Sequence, residues 1–268
     1  MKQVYQITHT LFAIIVAIGF ISCSKERVDI LSTIPDGFNP MYMYGNVKEI
    51  VVASEYMSET IKLDKAGRVL QKGHRHYSYD ADGVLVSSNA GHIKNEYVYS
   101  DNLLVATKHY RHNTLDDIYK YFYNEQGQMI SKKWYSDDEL KQEYRYEYNN
   151  DGKVSSELDI DYYITNSIYN RLGYKVKPSR TRTVYSYDKE GNVIKEDYYN
   201  NSNEISRSTN FKYNKRGNVV YEEELDYDDM EKEIITYKYK YDRKGNWIEQ
   251  VASCNGETRT IKREITYY

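Results

Sequence analysis

The chain has 268 residues, with 37 Lys and Arg against 40 Asp and Glu, a formal charge of −3, and 32 tyrosines beside only 5 phenylalanines and 2 tryptophans. A slightly acidic chain with no basic tract has no electrostatic footprint for nucleic acid, which excludes that class of partner. Tyrosine favours strands, and the helix formers never organise at a spacing of about 3.6, so an all-β protein is expected.

Met1-Lys2 lead into an apolar stretch from Leu11 to Phe20, which ends in Phe20-Ile21-Ser22-Cys23. That is the order of a secretory signal: basic start, apolar centre, small residue at the cut. The apolar run falls short of the roughly 20 residues a membrane span needs. With cysteine directly after the small residue, the segment resembles a bacterial lipoprotein signal, although Phe20 stands where leucine is commoner. The resemblance implies a signal peptide over 1–22, a lipidated Cys23 as the mature N-terminus, and an outer-membrane anchor in a Gram-negative envelope, facing either periplasm or cell surface. Two or three acyl chains hold a protein firmly, since each buried CH₂ contributes about 0.8 kcal/mol. Residues 23–45 contain Pro35, Asp36-Gly37 and Pro40 with no sustained period, and read as a tether. Lipidation of Cys23 would leave Cys254 without a disulfide partner, so packing must supply the stability of residues 46–268.

Within 46–268 one motif returns six times. Its copies are Tyr77-x-Tyr79-Asp80-x-x-Gly83, Tyr121-x-Tyr123-Asn124-x-x-Gly127, Tyr146-x-Tyr148-Asn149-x-x-Gly152, Tyr185-x-Tyr187-Asp188-x-x-Gly191, Phe211-x-Tyr213-Asn214-x-x-Gly217 and Tyr239-x-Tyr241-Asp242-x-x-Gly245. Leu63-Asp64-x-x-Gly67 is a worn first copy, and Tyr97-x-Tyr99-Ser100-Asp101-Asn102 one that has lost its glycine. Asp or Asn bonds its own backbone two residues on, and glycine supplies the positive φ that closes the loop, so each copy predicts a hairpin. Flanking residues alternate: Tyr144, Tyr146 and Tyr148 against Arg145 and Glu147, or Tyr237, Tyr239 and Tyr241 against Lys238 and Lys240. One sheet face is therefore aromatic and the other charged. Turns rich in Asp, Asn, Ser and Gly join the units, and a longer insert near 167–180, with Gly173 and Pro178, interrupts them.

Tyr187-Asp188-x-x-Gly191-Asn192-Val193 and Tyr241-Asp242-x-x-Gly245-Asn246-Trp247 resemble the YD repeats of the RHS family, and the resemblance extends over roughly residues 60–268. It implies tandem antiparallel β-hairpins forming one extended, curled or spiralling sheet. Large RHS proteins wall a shell around a toxin, but this chain has few repeats and no Asp-Pro closure motif, so that role is not expected here.

Tyrosines on a shared face are either the core or inner wall of the sheet, or an exposed surface that stacks sugars or grips a partner. Tyr237, Tyr239, Tyr241 and Trp247 are the first binding candidates, because an end repeat has a neighbour on one side only. Tyr169, Arg171 and Tyr174 in the insert are the second. His74 with His76, and His109 with His112, suggest zinc, yet no cysteine or carboxylate is spaced to complete a site, so no metal is expected. Asp116-Asp117, Asp137-Asp138, Asp159-x-Asp161 and Asp228-Asp229 suit turns as well as calcium or glycoside hydrolysis. No cofactor motif is present. The expectation is a non-enzymatic, lipid-anchored envelope protein whose repeats bind or scaffold a glycan or a cell-surface protein. Its alternatives are an accessory of an RHS-type toxin or secretion system and a lipid-anchored hydrolase.

Overall fold

The computed structural model describes residues 27–29, 42–162 and 177–268. All regular elements among the described residues are strands. Two short ones, β1 (Arg27–Asp29) and β2 (Tyr42–Tyr44), form a small antiparallel pair. The body opens with β3 (Val47–Ala53), β4 (Ser58–Leu63), β5 (Val69–Lys72), β6 (Arg75–Tyr79), β7 (Leu85–Ala90), β8 (Ile93–Ser100) and β9 (Leu103–Arg111). It continues through β10 (Thr114–Tyr123), β11 (Met129–Ser136), β12 (Glu139–Tyr148), β13 (Val154–Asp161), β14 (Ser179–Tyr187) and β15 (Val193–Tyr199). The last are β16 (Ile205–Tyr213), β17 (Val219–Asp226), β18 (Glu231–Tyr241), β19 (Trp247–Cys254) and β20 (Glu257–Tyr267). From β4 onward each strand pairs antiparallel with its predecessor, and β20 pairs with β3, so eighteen strands close into a barrel. The all-β hairpin array is as expected, but the open, curled or spiralling sheet is not: the two ends of the array meet.

The repeat chemistry explains the closure. In the copy at Gly191 the Asp188 N–H donates to the Asn192 carbonyl at 2.9 Å, and Asp188 Oδ1 accepts the Asn192 N–H at 2.8 Å. Gly191, at φ +92°, completes the loop, in a conformation that a side chain would strain. Tyr187 then stands opposite Val193 across a β-bulge. The other motif glycines, Gly83, Gly127, Gly152, Gly217 and Gly245, also have positive φ. At the ends of the array Tyr267 faces Val47 across the same kind of bulge, and the Tyr268 N–H donates to the Asn46 carbonyl at 3.1 Å. Ile265-x-Tyr267-Tyr268 thus supplies the front half of one more repeat, and Gly45-Asn46-Val47 its back half. Nine hairpin units make the ring, the ninth split between the N- and C-terminal strands.

In five units the second motif tyrosine donates to a carbonyl beside the bulge of the preceding unit. Tyr79, Tyr123, Tyr148, Tyr187 and Tyr213 donate to the carbonyls of Val69, Leu104, Met129, Val154 and Val193 at 2.7–2.8 Å. This accounts for tyrosine rather than phenylalanine at that position. Tyr213→Phe is expected to cost about 1 kcal/mol, read as a lower urea midpoint at unchanged m-value.

Inward side chains of a barrel converge, so the more enclosed set marks the inside. On β18 and β20 the residues Tyr237, Tyr239, Tyr241, Ile261, Arg263, Ile265 and Tyr267 are half-buried, while Lys238, Lys240, Lys262 and Glu264 are exposed. Ile50, Ile61, Leu63, Tyr77, Leu85 and Tyr97, all enclosed, belong to the same face. On these strands the motif tyrosines line the inside and the alternating charges lie outside. Barrels of this strand number leave an open channel, and the one fully enclosed sector, over β3 to β8, is where β2 packs on the wall through Met43, only 1% exposed. Asn246 fixes β2 by bonding both backbone groups of Tyr44, at 2.6 and 2.8 Å. Residues 42–44, expected within a tether, are therefore a strand packed against the inner wall beside the motif-turn rim. Residues 27–29 of the expected tether are likewise strand, as β1, while residues 1–26, with the signal segment and Cys23, and residues 30–41 lie outside the described residues.

Candidate binding surface inside the barrel

A bulge in each hairpin resets the alternation, so the inward positions of the returning strands do not follow the tyrosine parity read along the chain. Counting from the motif glycine, the fifth residue always points inward: Lys72, Ser88, Lys132, Glu157, Glu196, Glu222 and Gln250. Ile50 takes this place in the split repeat and Thr107 in the repeat without glycine. Together they form a belt at one level of the inner wall. The tyrosine motif does not reveal it; the fifth position after each glycine does, once the bulge is known.

Three acids are consecutive in this belt. Glu157 stands opposite Tyr146, Glu196 opposite Tyr185, and Glu222 opposite Phe211. Glu222 accepts from Tyr237 Oη at 2.7 Å. Burial, reinforced by Asp159, raises the Glu157 pKa, while burial reinforced by Glu222 raises that of Glu196. Asp159 is raised by burial as well. Burial also pushes the neighbouring Tyr144 and Tyr185 hydroxyls up to about 12.

A folded-state pKa above the unfolded one means that the folded form binds the proton more tightly. Stability from this source is complete below the unfolded value and is lost as pH rises through the folded one. Glu157→Gln with Glu196→Gln is therefore expected to raise Tm at pH 7, and the gain to disappear near pH 4. A Tm difference independent of pH would show that burial of charge is not its origin.

Beside the acidic arc lies an aromatic one. Trp134 (β11) and Tyr119 (β10) are near-parallel, with ring centroids 6.2 Å apart and an interplanar angle of 11°. Trp134 Nε1 donates to Asp117 Oδ1 at 2.9 Å, and Lys132 Nζ sits 4.9 Å above the Tyr119 ring. Gln142 Nε2 donates to both Asp159 oxygens, at 2.9 and 3.0 Å, close to Tyr144. Broad rings flanked by Asp, Gln and Lys form a surface suited to a flat, hydroxylated ligand.

Tyr237, Tyr239, Tyr241 and Trp247 are gathered on the inner wall, but the premise that theirs is an end repeat is corrected by closure, since β19 pairs with β20 and β20 with β3. Tyr239 Oη donates to the Val219 carbonyl at 2.7 Å and accepts from Gln250. Tyr241 Oη accepts from Asn214 and Asn218. Trp247 meets Tyr239 edge-on at 6.0 Å, and the Arg263 guanidinium lies 3.3 Å over its ring. Arg263 Nε has no hydrogen-bond partner among the described residues, and burial works against its charged form. These hydroxyls and rings serve the wall itself, which distinguishes them from the Trp134 group. Tyr169, Arg171 and Tyr174 lie outside the described residues.

Among the described residues no three His, Cys, Asp or Glu side chains converge as a metal site. His109 tilts against Tyr119, and His112 stacks on His92. Asp137 and Asp138, both at positive φ, form a tight hairpin turn, whereas Asp159 and Asp161 are strand residues on the inner wall.

No protein-family model and no curated protein sequence matches the chain. Among solved structures it is similar to a porin-like protein from Bacteroides vulgatus, with 11% identity and a TM-score of 0.44 over 83% of this chain and 98% of that one. It is also similar to a porin-like protein from Bacteroides uniformis, with 13% identity and a TM-score of 0.39 over 82% of this chain and 96% of that one.

Proposed function

We propose that this chain is a non-enzymatic, lipid-anchored envelope protein of a Gram-negative bacterium, whose barrel binds a glycan on its inner wall. The observation that carries the reading is the Trp134 and Tyr119 platform with Asp117, Lys132, Gln142 and Asp159 around it. Sugar rings lay their C–H faces on such platforms and share hydroxyls with flanking carboxylates and amides.

The polarity of the outer wall supports anchoring by lipid rather than by insertion. A membrane barrel carries an apolar band facing outward, and each Lys or Arg at the bilayer centre costs roughly 2–4 kcal/mol. Here Lys108, Lys133, Arg145, Lys195, Lys238 and Lys262 point outward from the inner parts of their strands. Their summed cost, on the order of 12–24 kcal/mol, matches or exceeds the whole stability of an ordinary domain. The outer wall is suited to water and the inner wall to a ligand.

Both tryptophans, Trp134 and Trp247, lie on the inner wall, so intrinsic fluorescence reports on it directly. Titration with envelope and plant-type oligosaccharides is expected to change the emission of a Trp247→Phe protein, in which Trp134 is the only reporter. Trp134→Ala with Tyr119→Ala should abolish that binding with a smaller loss of Tm than changes at Trp247. Binding that survives the double substitution would move the ligand elsewhere, and cleavage of the oligosaccharide would replace this reading with the hydrolase one.

A further inference from the structure

We propose that the mouth carrying the motif turns, where Asn246 holds β2, is the end of the barrel that lies against the membrane, where a basic arc of its rim rests on anionic phospholipid headgroups. The opposite mouth then faces away from the lipid as the entrance to the inner wall. The orientation rests on the lipid-anchor reading; the contact between rim and headgroups does not.

Three observations lead to it. First, successive strands are antiparallel, so all the motif turns gather at one mouth and the connecting turns, such as Cys254-Asn255-Gly256, at the other. Second, the chain leaves at the motif mouth. Asn246 holds Tyr44 at that rim, and Arg27 pairs with Tyr44. Cys23 precedes Arg27 by four residues, a span of at most roughly 14 Å, so a lipid on Cys23 holds this rim close to the bilayer. The connection is too short for the barrel to turn its other mouth to the lipid.

Third, charge on the rim is segregated. The turns flanking the split repeat carry Lys215 and Arg216, Arg243 and Lys244, and Lys65 and Arg68, against only Asp64 and Asp242. The next turns round the rim from Arg68 carry Asp80, Asp82, Asp101 and Glu125 without a lysine or arginine, and the turns opposite the split repeat are mixed, with Asp151 and Lys153, then Asp188, Lys189 and Glu190. The basic arc spans the turns on either side of the point where the chain exits, and the acidic arc begins at the turn beside Arg68. Juxtamembrane cations of this kind are drawn to anionic lipid surfaces, and the attraction is screened by salt.

The test uses the full-length protein in vesicles of phosphatidylcholine and phosphatidylglycerol with a headgroup quencher. One fluorophore is placed through Ala66→Cys in a Cys254→Ser background, the other on the native Cys254. Quenching several-fold stronger at position 66 is expected; equal or stronger quenching at Cys254 overturns the orientation. Mass measurement of Cys23 decides the anchor separately. For the rim, Cys23→Ala protein is expected to bind phosphatidylglycerol vesicles in low salt, and Lys65→Glu with Lys215→Glu to weaken this at least about tenfold. Failure of the Cys23→Ala protein to bind, an unchanged affinity after the double reversal, or a preference for lipopolysaccharide over phosphatidylglycerol each overturns the phospholipid contact.

Discussion

Removal of Ile265 to Tyr268 is expected to abolish cooperative unfolding and leave an aggregating, partly folded chain. Those residues complete the split repeat, pairing Ile265 with Ile50, Thr266 with Glu49 and Tyr267 with Val47. Without them Ile50, fully enclosed in the closed barrel, loses its cover. Losing the packing of even one buried isoleucine costs about 2–5 kcal/mol, and here several contacts go together, against a total stability on the order of 5–15 kcal/mol. The exposed edge of β3 would also offer unpaired backbone groups to other chains. Calorimetry with size-exclusion chromatography checks this. An open hairpin array would tolerate trimming of its last strand, so a monomer melting within a few degrees of the parent would contradict closure. Ile50→Ala, a milder probe of the same seam, should lower stability by about 2–5 kcal/mol while preserving the monomer.

Trp247→Ala is the second large effect expected, a destabilisation of about 3 kcal/mol or more. The indole carries the Arg263 guanidinium on its face and Tyr239 against its edge, so its removal leaves a cavity and a half-buried cation without its aromatic partner. Trp247→Phe should recover most of the loss, because a ring remains beneath the guanidinium. Tyr239→Ala should also be costly, through its bond to the Val219 carbonyl as well as its ring. Since the two side chains touch, the double substitution should cost less than the sum. Urea denaturation measures all three. Near-parental stability in Trp247→Ala would return this cluster to the list of ligand surfaces.

The contrast with Trp134 bears on function. Both tryptophans are inward and aromatic, but Trp247 is occupied by Arg263 and Tyr239, whereas Trp134 forms a platform with Tyr119 edged by polar groups. A wall that keeps its shape through one set of aromatics and offers another to solutes fits a binding barrel, and it places the ligand nearer β10 to β13 than the last repeat.

Local chemistry was legible in the sequence. Each Asp or Asn followed by glycine at a fixed distance specifies its own hairpin, because the side-chain cap and the positive φ are decided within five residues. Tyrosine alternation likewise separates an aromatic from a charged face without reference to the rest of the chain. Even the halves of the ninth repeat, Gly45-Asn46-Val47 and Ile265-x-Tyr267-Tyr268, are present in the sequence. Their meaning is not, since they are separated by almost the full chain length, and only the accumulated twist and curvature of the intervening strands bring them into register. Closure in turn decided what local pattern leaves open: that the motif tyrosines face inward, that the last repeat has two neighbours, and that residues 42–44 pack against the inner wall rather than float in a tether. The bulges are a tertiary matter in the same sense. By shifting the returning strands one residue they place Glu157, Glu196 and Glu222 on the inner wall, where parity counted along the chain puts a solvent-facing charge.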